Sequence, residues 1–184
     1  AKQAGDLLGK KVLVTGCGPI GLLAVLVARA AGAAQIVATD ITDFTLDKAR
    51  ELGADITHNV ADQANALEVY GAQKGHFDVL FECSGVGPVV VSTVPCIRPG
   101  GTMVQLGLGG DMTLPIQAMT AKELTFKGSF RFHAEFFSAV ELMRSDRLDV
   151  MPLITHTLPL ADTVKAFELA SDRTKALKIQ IEFN

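Results

Sequence analysis

"VLVTGCGPIGLLAVLVARAAGAAQIVATD", Val12 to Asp40, decides the fold. It begins as a β-branched apolar run, turns on a cluster of glycines, continues as an apolar segment and closes on a second apolar run that ends in a carboxylate. "KKVLVT" (Lys10 to Thr15) predicts a strand, Pro19 to Ala31 a helix, and "QIVATD" (Gln35 to Asp40) a second strand. Pro19 suits the first turn of a helix, where its missing N–H has no partner to lose.

The alternation continues outward. Thr42 or Asp43 is placed to cap a helix that carries Leu46, Ala49 and Leu52 at helical spacing and stops at Gly53. "ADITHNV" predicts a short third strand, and Ala61 to about Gln73 a weaker helix. "HFDVLFEC" (His76 to Cys83) is a fourth strand, apolar enough to be buried on both faces. Val86 to Ile97, with Pro88 early and Pro95 late, predicts a helix stopped by "RPGG". "GTMVQLGLG" is a fifth strand, Gly109 to Ala121 a loop, "ELTFKGSFRF" a sixth strand, and Ala134 to Arg144 a helix.

Strands alternating with helices of about a dozen residues specify right-handed βαβ units. The expected fold class is therefore α/β, a doubly wound parallel sheet of about six strands over residues 1–145. After Ser145 the register changes. "PLITHTLPL", an amphipathic helix from Ala161 to Ala170 and "ALKIQIEF" form a strand-helix-strand tail over residues 146–184. Its two strands are expected to belong to another sheet, with no helix of their own to cross over with.

Composition narrows the function classes. The chain has 184 residues, 48% of them hydrophobic, enough for one good core. Net charge is −3, there is no basic run, no Trp and one Tyr, so nucleic acid is discarded as a partner. The longest apolar stretch, Pro19 to Ala28, is far short of the roughly 18 residues a membrane span needs, so no membrane role is expected. Cys17, Cys83 and Cys96 make no C-x-x-C pair, which points to a reducing, cytoplasmic setting. The opening "AKQAGDLLGKK" has no Met and runs almost directly into a core strand, and is read as a cut from something longer.

Gly16, Gly18 and Gly21 satisfy G-x-G-x-x-G between a strand and a helix, the context the dinucleotide fingerprint demands. Gly16 permits the tight turn, Gly18 admits the pyrophosphate close to backbone, and Gly21 lets the helix lie near the strand. The unpaired N–H groups of the helix start then face an anion. Asp40, nineteen positions beyond Gly21, is placed to accept the adenosine ribose hydroxyls and to repel a 2′-phosphate. With no Arg or Lys in "ITDFTLD" before Lys48, NAD is chosen over NADP. Such a glycine turn by itself also serves plain close packing. Adenosylmethionine-dependent methyltransferases share a glycine loop and an acidic strand end, but seldom with all three glycines at this spacing.

Catalytic groups are scarce. His58 and His76 are expected to flank strand ends away from the cofactor edge, and His133 and His156 have no metal-type neighbour in sequence. A catalytic zinc needs three protein ligands, and no cluster offers them. Cys17 reads as a small side chain under the cofactor. Cys83, with "CSG", and the "GLG" end of the fifth strand read as cofactor lining at the carboxyl edge, where open α/β sheets bind ligands.

The chain resembles the medium-chain, zinc-type alcohol and polyol dehydrogenases, and within them the sorbitol and L-idonate 5-dehydrogenase branch. "AGDLLGKKVLVTGCGPIGLLAVLVARAAGA", "VATDITDFTLDKARELGAD", "FDVLFECSG", "RPGGTMVQLGLGG" and "LTFKGSFRF" carry the likeness in order, and "KGSFRF" carries the polyol branch. The resemblance implies a Rossmann NAD-binding portion preceded by a chaperonin-10-like catalytic domain that holds the zinc ligands and proton relay. None of those motifs is in this sequence.

By the same resemblance, Gly16, Gly18, Pro19, Ile20 and Gly21 would meet the pyrophosphate and Asp40 the adenosine ribose. Cys83 and Ser84, with Leu106, Gly107 and Leu108, would border the nicotinamide. Ser129 and Arg131 would lie near the carboxamide and the substrate mouth. Where the family often has a basic residue to reach the ribose, this sequence has Thr45. The tail would return to the catalytic domain, and the sixth strand would pair copies into a homo-oligomer. The implied reaction is hydride transfer from a secondary alcohol, a polyol or a sugar acid such as L-idonate, to NAD, with no catalytic residue in this chain. Rivals are a regulatory NAD-sensing module and a metal-free NADPH quinone or enoyl reductase. "GSFRF" argues against the first and Asp40 against the second.

Overall fold

The computed structural model describes residues 1–183. Its first unit is β1 (Lys11–Thr15), α1 (Pro19–Ala30) and β2 (Gln35–Asp40), followed by α2 (Asp43–Glu51) and β3 (Ile56–Asn59). The second half adds β4 (Phe77–Glu82), α3 (Gly87–Thr93), β5 (Ile97–Gln105), α4 (Ile116–Ala121), β6 (Thr125–Gly128) and α5 (Glu135–Arg144). The six strands form one sheet in the order β3-β2-β1-β4-β5-β6, every pair parallel. Two crossovers leave from β1 and β4 in opposite directions, so the order reverses between them and opens the crevice where ligands bind in such sheets.

The period-2 alternation of the strands supplies both cores. Val12, Val14, Ile36, Ala38, Val79 and Phe81 pack with Leu22 and Val25 of α1 and Leu46 and Ala49 of α2. Leu13, Val37, Leu80 and Met103 face the other way, onto Val90 of α3 and Met119 of α4. A strand buried on both faces is mostly apolar, and β4 is buried at all six positions, with Asp78 and Glu82 its two polar residues.

The segments that departed from expectation share a cause: too little apolar spacing or a misplaced proline. Ala61 to Gln73 is no α-helix. It forms turns and a 3-10 segment, Glu68–Lys74, broken at Ala72 and Gln73 and with no buried residue. Without an apolar stripe, nothing offsets the cost of helix nucleation. The helix expected to run to Ile97 stops at Thr93 and tightens into a 3-10 turn, Val94–Cys96, because Pro95 donates no backbone bond. β5 begins earlier than expected and takes in "RPGG" through a register shift, its partners passing from Phe77↔Ile97 to Val79↔Thr102. The expected loop before β6 contains α4, and β6 has four residues where ten were expected.

The tail consists of β7 (Ile154–Pro159), α6 (Thr163–Ser171) and β8 (Lys178–Glu182), the two strands forming a separate sheet. They are parallel, so α6 is their crossover, contrary to the expectation that they had none. Leu153 and Leu177 at its base pack on the main core beneath α1 and α2.

Candidate dinucleotide site

Because the sheet is parallel, the carboxyl ends of its strands share one edge. The last rung aligns Thr39, Thr15, Glu82, Gln105 and Gly128 across five strands. Every loop expected to meet a cofactor leaves from that rung.

At the β1 turn each glycine is held to a distinct geometry. Gly16 has φ +80°, and a Cβ there would lie 2.8 Å from the Ser84 nitrogen. A Cβ on Gly21 would lie 1.8 Å from the Gly16 carbonyl oxygen, so the turn and the first coil of α1 touch backbone to backbone. Gly18 is different. It is the extended N-cap of α1, and a Cβ there meets no protein atom within 4 Å. That is the position where the fingerprint brings phosphate against backbone. No side chain caps α1, Pro19 occupies its first turn, and the N–H groups of Ile20 and Gly21 are left for an anion. Ile20 is exposed beside them.

Asp40 closes this cradle. Its Oδ2 accepts the Cys17 N–H at 2.5 Å, and its Oδ1 accepts those of Ile41 (2.7 Å) and Thr42 (3.1 Å). Thr42 is the N-cap of α2 but makes no side-chain cap bond. Asp40 therefore ties the β1 turn to the start of α2 and, half-buried, still presents lone pairs outward. The Gly16 N–H donates to the Thr39 carbonyl at 2.8 Å, a second tie between the same elements. Cys17 is fully buried, its thiol 3.6 Å from the Thr39 carbonyl. Burial, with Asp40 and Cys83 beside it, pushes that thiol's pKa up. Burial and then Glu82 push the Cys83 thiol up to about 12. Both stay protonated near neutrality, so neither is a nucleophile.

The loops after β4 and β5 meet just as closely. A Cβ on Gly107 would lie 2.2 Å from the Gly85 nitrogen, and one on Gly109 would lie 2.1 Å from the Gly85 carbonyl. The N–H groups of Leu106 (2.8 Å) and Gly107 (2.9 Å) both donate to the Glu82 carbonyl. Cys83, Ser84, Leu106 and Gly107 thus form one wall beside the glycine turn, with Leu108 exposed at its lip. Ser129 extends the β6 pairing by donating to the Gln105 carbonyl at 2.9 Å. Arg131, at φ +58°, leaves the strand and lays its guanidinium over the Phe130 ring, 5.0 Å from the centroid.

Sequence reasoning passed over Glu82. Its carboxyl is fully buried on the last rung and takes hydrogen bonds from the hydroxyls of Thr15 and Ser84, the Ser84 and Gly85 amides and the Gln105 side chain. The available signal was an acid ending an otherwise apolar run, "FDVLFE". His58 was misplaced. It lies within β3, opposite Thr39 near the cofactor edge, and shares a 3.1 Å hydrogen bond with the Tyr70 hydroxyl. His76 lies at the amino side of β4 and bonds Gln35 at 2.6 Å. Among the described residues no three His, Cys, Asp or Glu side chains converge as a metal would require. The set present does not fit a zinc ion.

A six-stranded parallel sheet, a glycine-cornered first βα turn and an acid closing the second strand define an α/β dinucleotide-binding domain. The chain belongs to the zinc-binding dehydrogenase family, whose model matches residues 19–145. It is 39% identical to L-idonate 5-dehydrogenase (NAD(P)(+)) of Escherichia coli K12 over 184 residues, covering all of this chain and 53% of that protein. It is also 39% identical to sorbitol dehydrogenase of Bos taurus over 185 residues, covering 98% of this chain and 52% of that one. The crystal structure of L-idonate 5-dehydrogenase from E. coli superposes with a TM-score of 0.91 at 39% identity, over 99% of this chain and 52% of that chain. That of 2R,3R-butanediol dehydrogenase from Bacillus subtilis gives 0.89 at 27% identity, over 100% and 53%. The chain spans about half the length of the curated relatives it matches.

Proposed function

We propose that this chain is the cofactor-binding part of a dehydrogenase that oxidises a secondary alcohol, a polyol or a sugar acid such as L-idonate, with NAD. The observation that carries it is the cradle of Gly16, Gly18 and Gly21 closed by Asp40 through the Cys17 amide. Ile20 and Gly21 would offer N–H groups to the pyrophosphate, and Asp40 would accept the adenosine ribose hydroxyls. Cys83, Ser84, Leu106, Gly107 and Leu108 would border the nicotinamide, with Ser129 and Arg131 towards the carboxamide and substrate mouth. The nicotinamide supplies the hydride acceptor. This chain's residues would hold and orient it.

The substrate class is supported by the relatives named for L-idonate and sorbitol. Zinc and the proton relay would belong to the part of the enzyme outside residues 1–184, with 1–145 the cofactor domain and 146–184 the segment returning to that part. Alone, the chain is expected to bind NAD and to oxidise nothing. Zinc-dependent polyol oxidation by this chain alone would overturn that division. The setting is proposed as cytoplasmic. Among the described residues no helix is long and apolar enough to cross a membrane, and all three cysteines are free.

Calorimetric titration with NAD and NADP tests the cofactor assignment. The relatives admit both cofactors, one being an L-idonate 5-dehydrogenase (NAD(P)(+)) and another a zinc-binding dehydrogenase bound to NADP, so the preference rests on Asp40. NAD should bind more tightly than NADP, and Asp40→Ala should weaken NAD and narrow the difference. Equal binding of both by the parent chain would refute the preference, and binding of neither would refute the site.

A further inference from the structure

The β4 strand ends in a residue that the fold alone does not require. Glu82 is fully buried, and among the described residues no Lys, Arg or His pairs with it. A buried carboxyl is costly unless its lone pairs are filled. Here they are filled from the two flanking strands and the loop after β4, because Thr15, Glu82 and Gln105 are direct register partners and their side chains share a face. Oε1 accepts the Thr15 hydroxyl at 3.3 Å, the Ser84 N–H at 2.8 Å and the Gly85 N–H at 3.1 Å, and also the Ser84 hydroxyl. Oε2 accepts the Gly85 N–H at 3.1 Å and the Gln105 amide. The same Gln105 nitrogen donates to the Gly107 carbonyl at 2.9 Å.

We infer that Glu82 is a positioning residue for the nicotinamide half of the site, holding the loops after β4 and β5 in mutual register through Ser84, Gly85 and the Gln105–Gly107 bridge. The adenosine half has a tie of its own. That half is tied through Thr39 and Asp40 of β2, by the Gly16 and Cys17 amides. Two anchors, on β2 and β4 with β1 between them, therefore serve the two ends of one dinucleotide. The inference rests on the NAD assignment proposed above.

Glu82→Gln keeps the volume but puts an NH₂ where only donors approach, so one of Ser84, Gly85 or Gln105 must move. Titration with NAD and with ADP-ribose, which lacks only the nicotinamide, separates the two halves. Glu82→Gln should lose about tenfold in NAD affinity, the effect of one misplaced buried hydrogen bond, and keep ADP-ribose affinity within about twofold. Gln105→Met, which removes the bridge and leaves the buried carboxyl in place, should show the same selective loss. It also serves if Glu82→Gln does not fold. In amide NMR spectra of the variants, Ser84, Gly85 and Gly107 should shift while Gly18 and Gly21 stay. Equal loss of both ligands, or no loss of either, in the folded variants overturns the inference with the NAD assignment intact. Failure of the parent chain to bind NAD and ADP-ribose overturns the assignment and the inference with it.

Discussion

Gly18 and Gly21 lie three residues apart in one turn, yet they answer to different forces. At Gly21 the constraint is internal, since any Cβ collides with the Gly16 carbonyl at 1.8 Å. Gly21→Ala should therefore destabilise the fold by about 1–3 kcal/mol, as overpacking does, and lower the thermal midpoint. At Gly18 the surroundings are open and φ is −65°, which any residue adopts. Gly18→Ala should leave the midpoint nearly unchanged and weaken NAD binding; a clear drop in midpoint would assign Gly18 to packing instead. His76 gives a pH dependence. Burial, then Lys11, lowers its pKa from 6.5, partly opposed by Asp78. The unfolded chain then binds the proton more readily, so this contribution to stability is present above about pH 6.5 and fades as pH falls below it. Urea unfolding of the parent and of His76→Gln across pH 5 to 8 should converge on the acid side.

At the scale of elements, short segments are held by clasps more than by propensity. Lys122, following α4, donates to four backbone carbonyls: Ile97 (2.6 Å), Pro95 (2.7 Å), Lys74 (2.9 Å) and Val94 (3.2 Å). It gathers the ends of two 3-10 segments onto the amino end of β5, and burial lowers its pKa. Lys122→Met should cost about 1–2 kcal/mol in chemical unfolding by removing the ammonium donor from those carbonyls, and should spare NAD affinity at the far edge of the sheet. Loss of NAD binding with stability unchanged would contradict this role. β6 is the other telling element. It is an edge strand exposed at all four residues, continued by exposed Phe130 and Phe132. Edges of that kind invite pairing. Light scattering is expected to find a dimer, and Phe126→Lys to shift it towards monomer.

Over the whole molecule, β1 to β2 was legible in advance because its information is local: a 2.0 period, a 3.6 period, three glycines and an acid, all within 29 residues from Val12 to Asp40. The same holds for α2, whose Leu46 and Ala49 are buried as their spacing implied, and for the strand order's parallel character. Legibility failed wherever the deciding partner was distant. α6 became a crossover only because β8 pairs parallel to β7, and the 3-10 segment before β4 covers the second core, with the Tyr70 ring 4.9 Å from that of Phe77 and tilted by 43°. Most of all, the Thr15–Glu82–Gln105 row joins residues 67 and 23 positions apart. The sequence by itself therefore determined the doubly wound class and the glycine cradle, since backbone geometry and side-chain period are properties of neighbours in the chain. Only the tertiary structure decided which buried polar groups satisfy one another, because hydrogen bonds across strands exist only once register has been set.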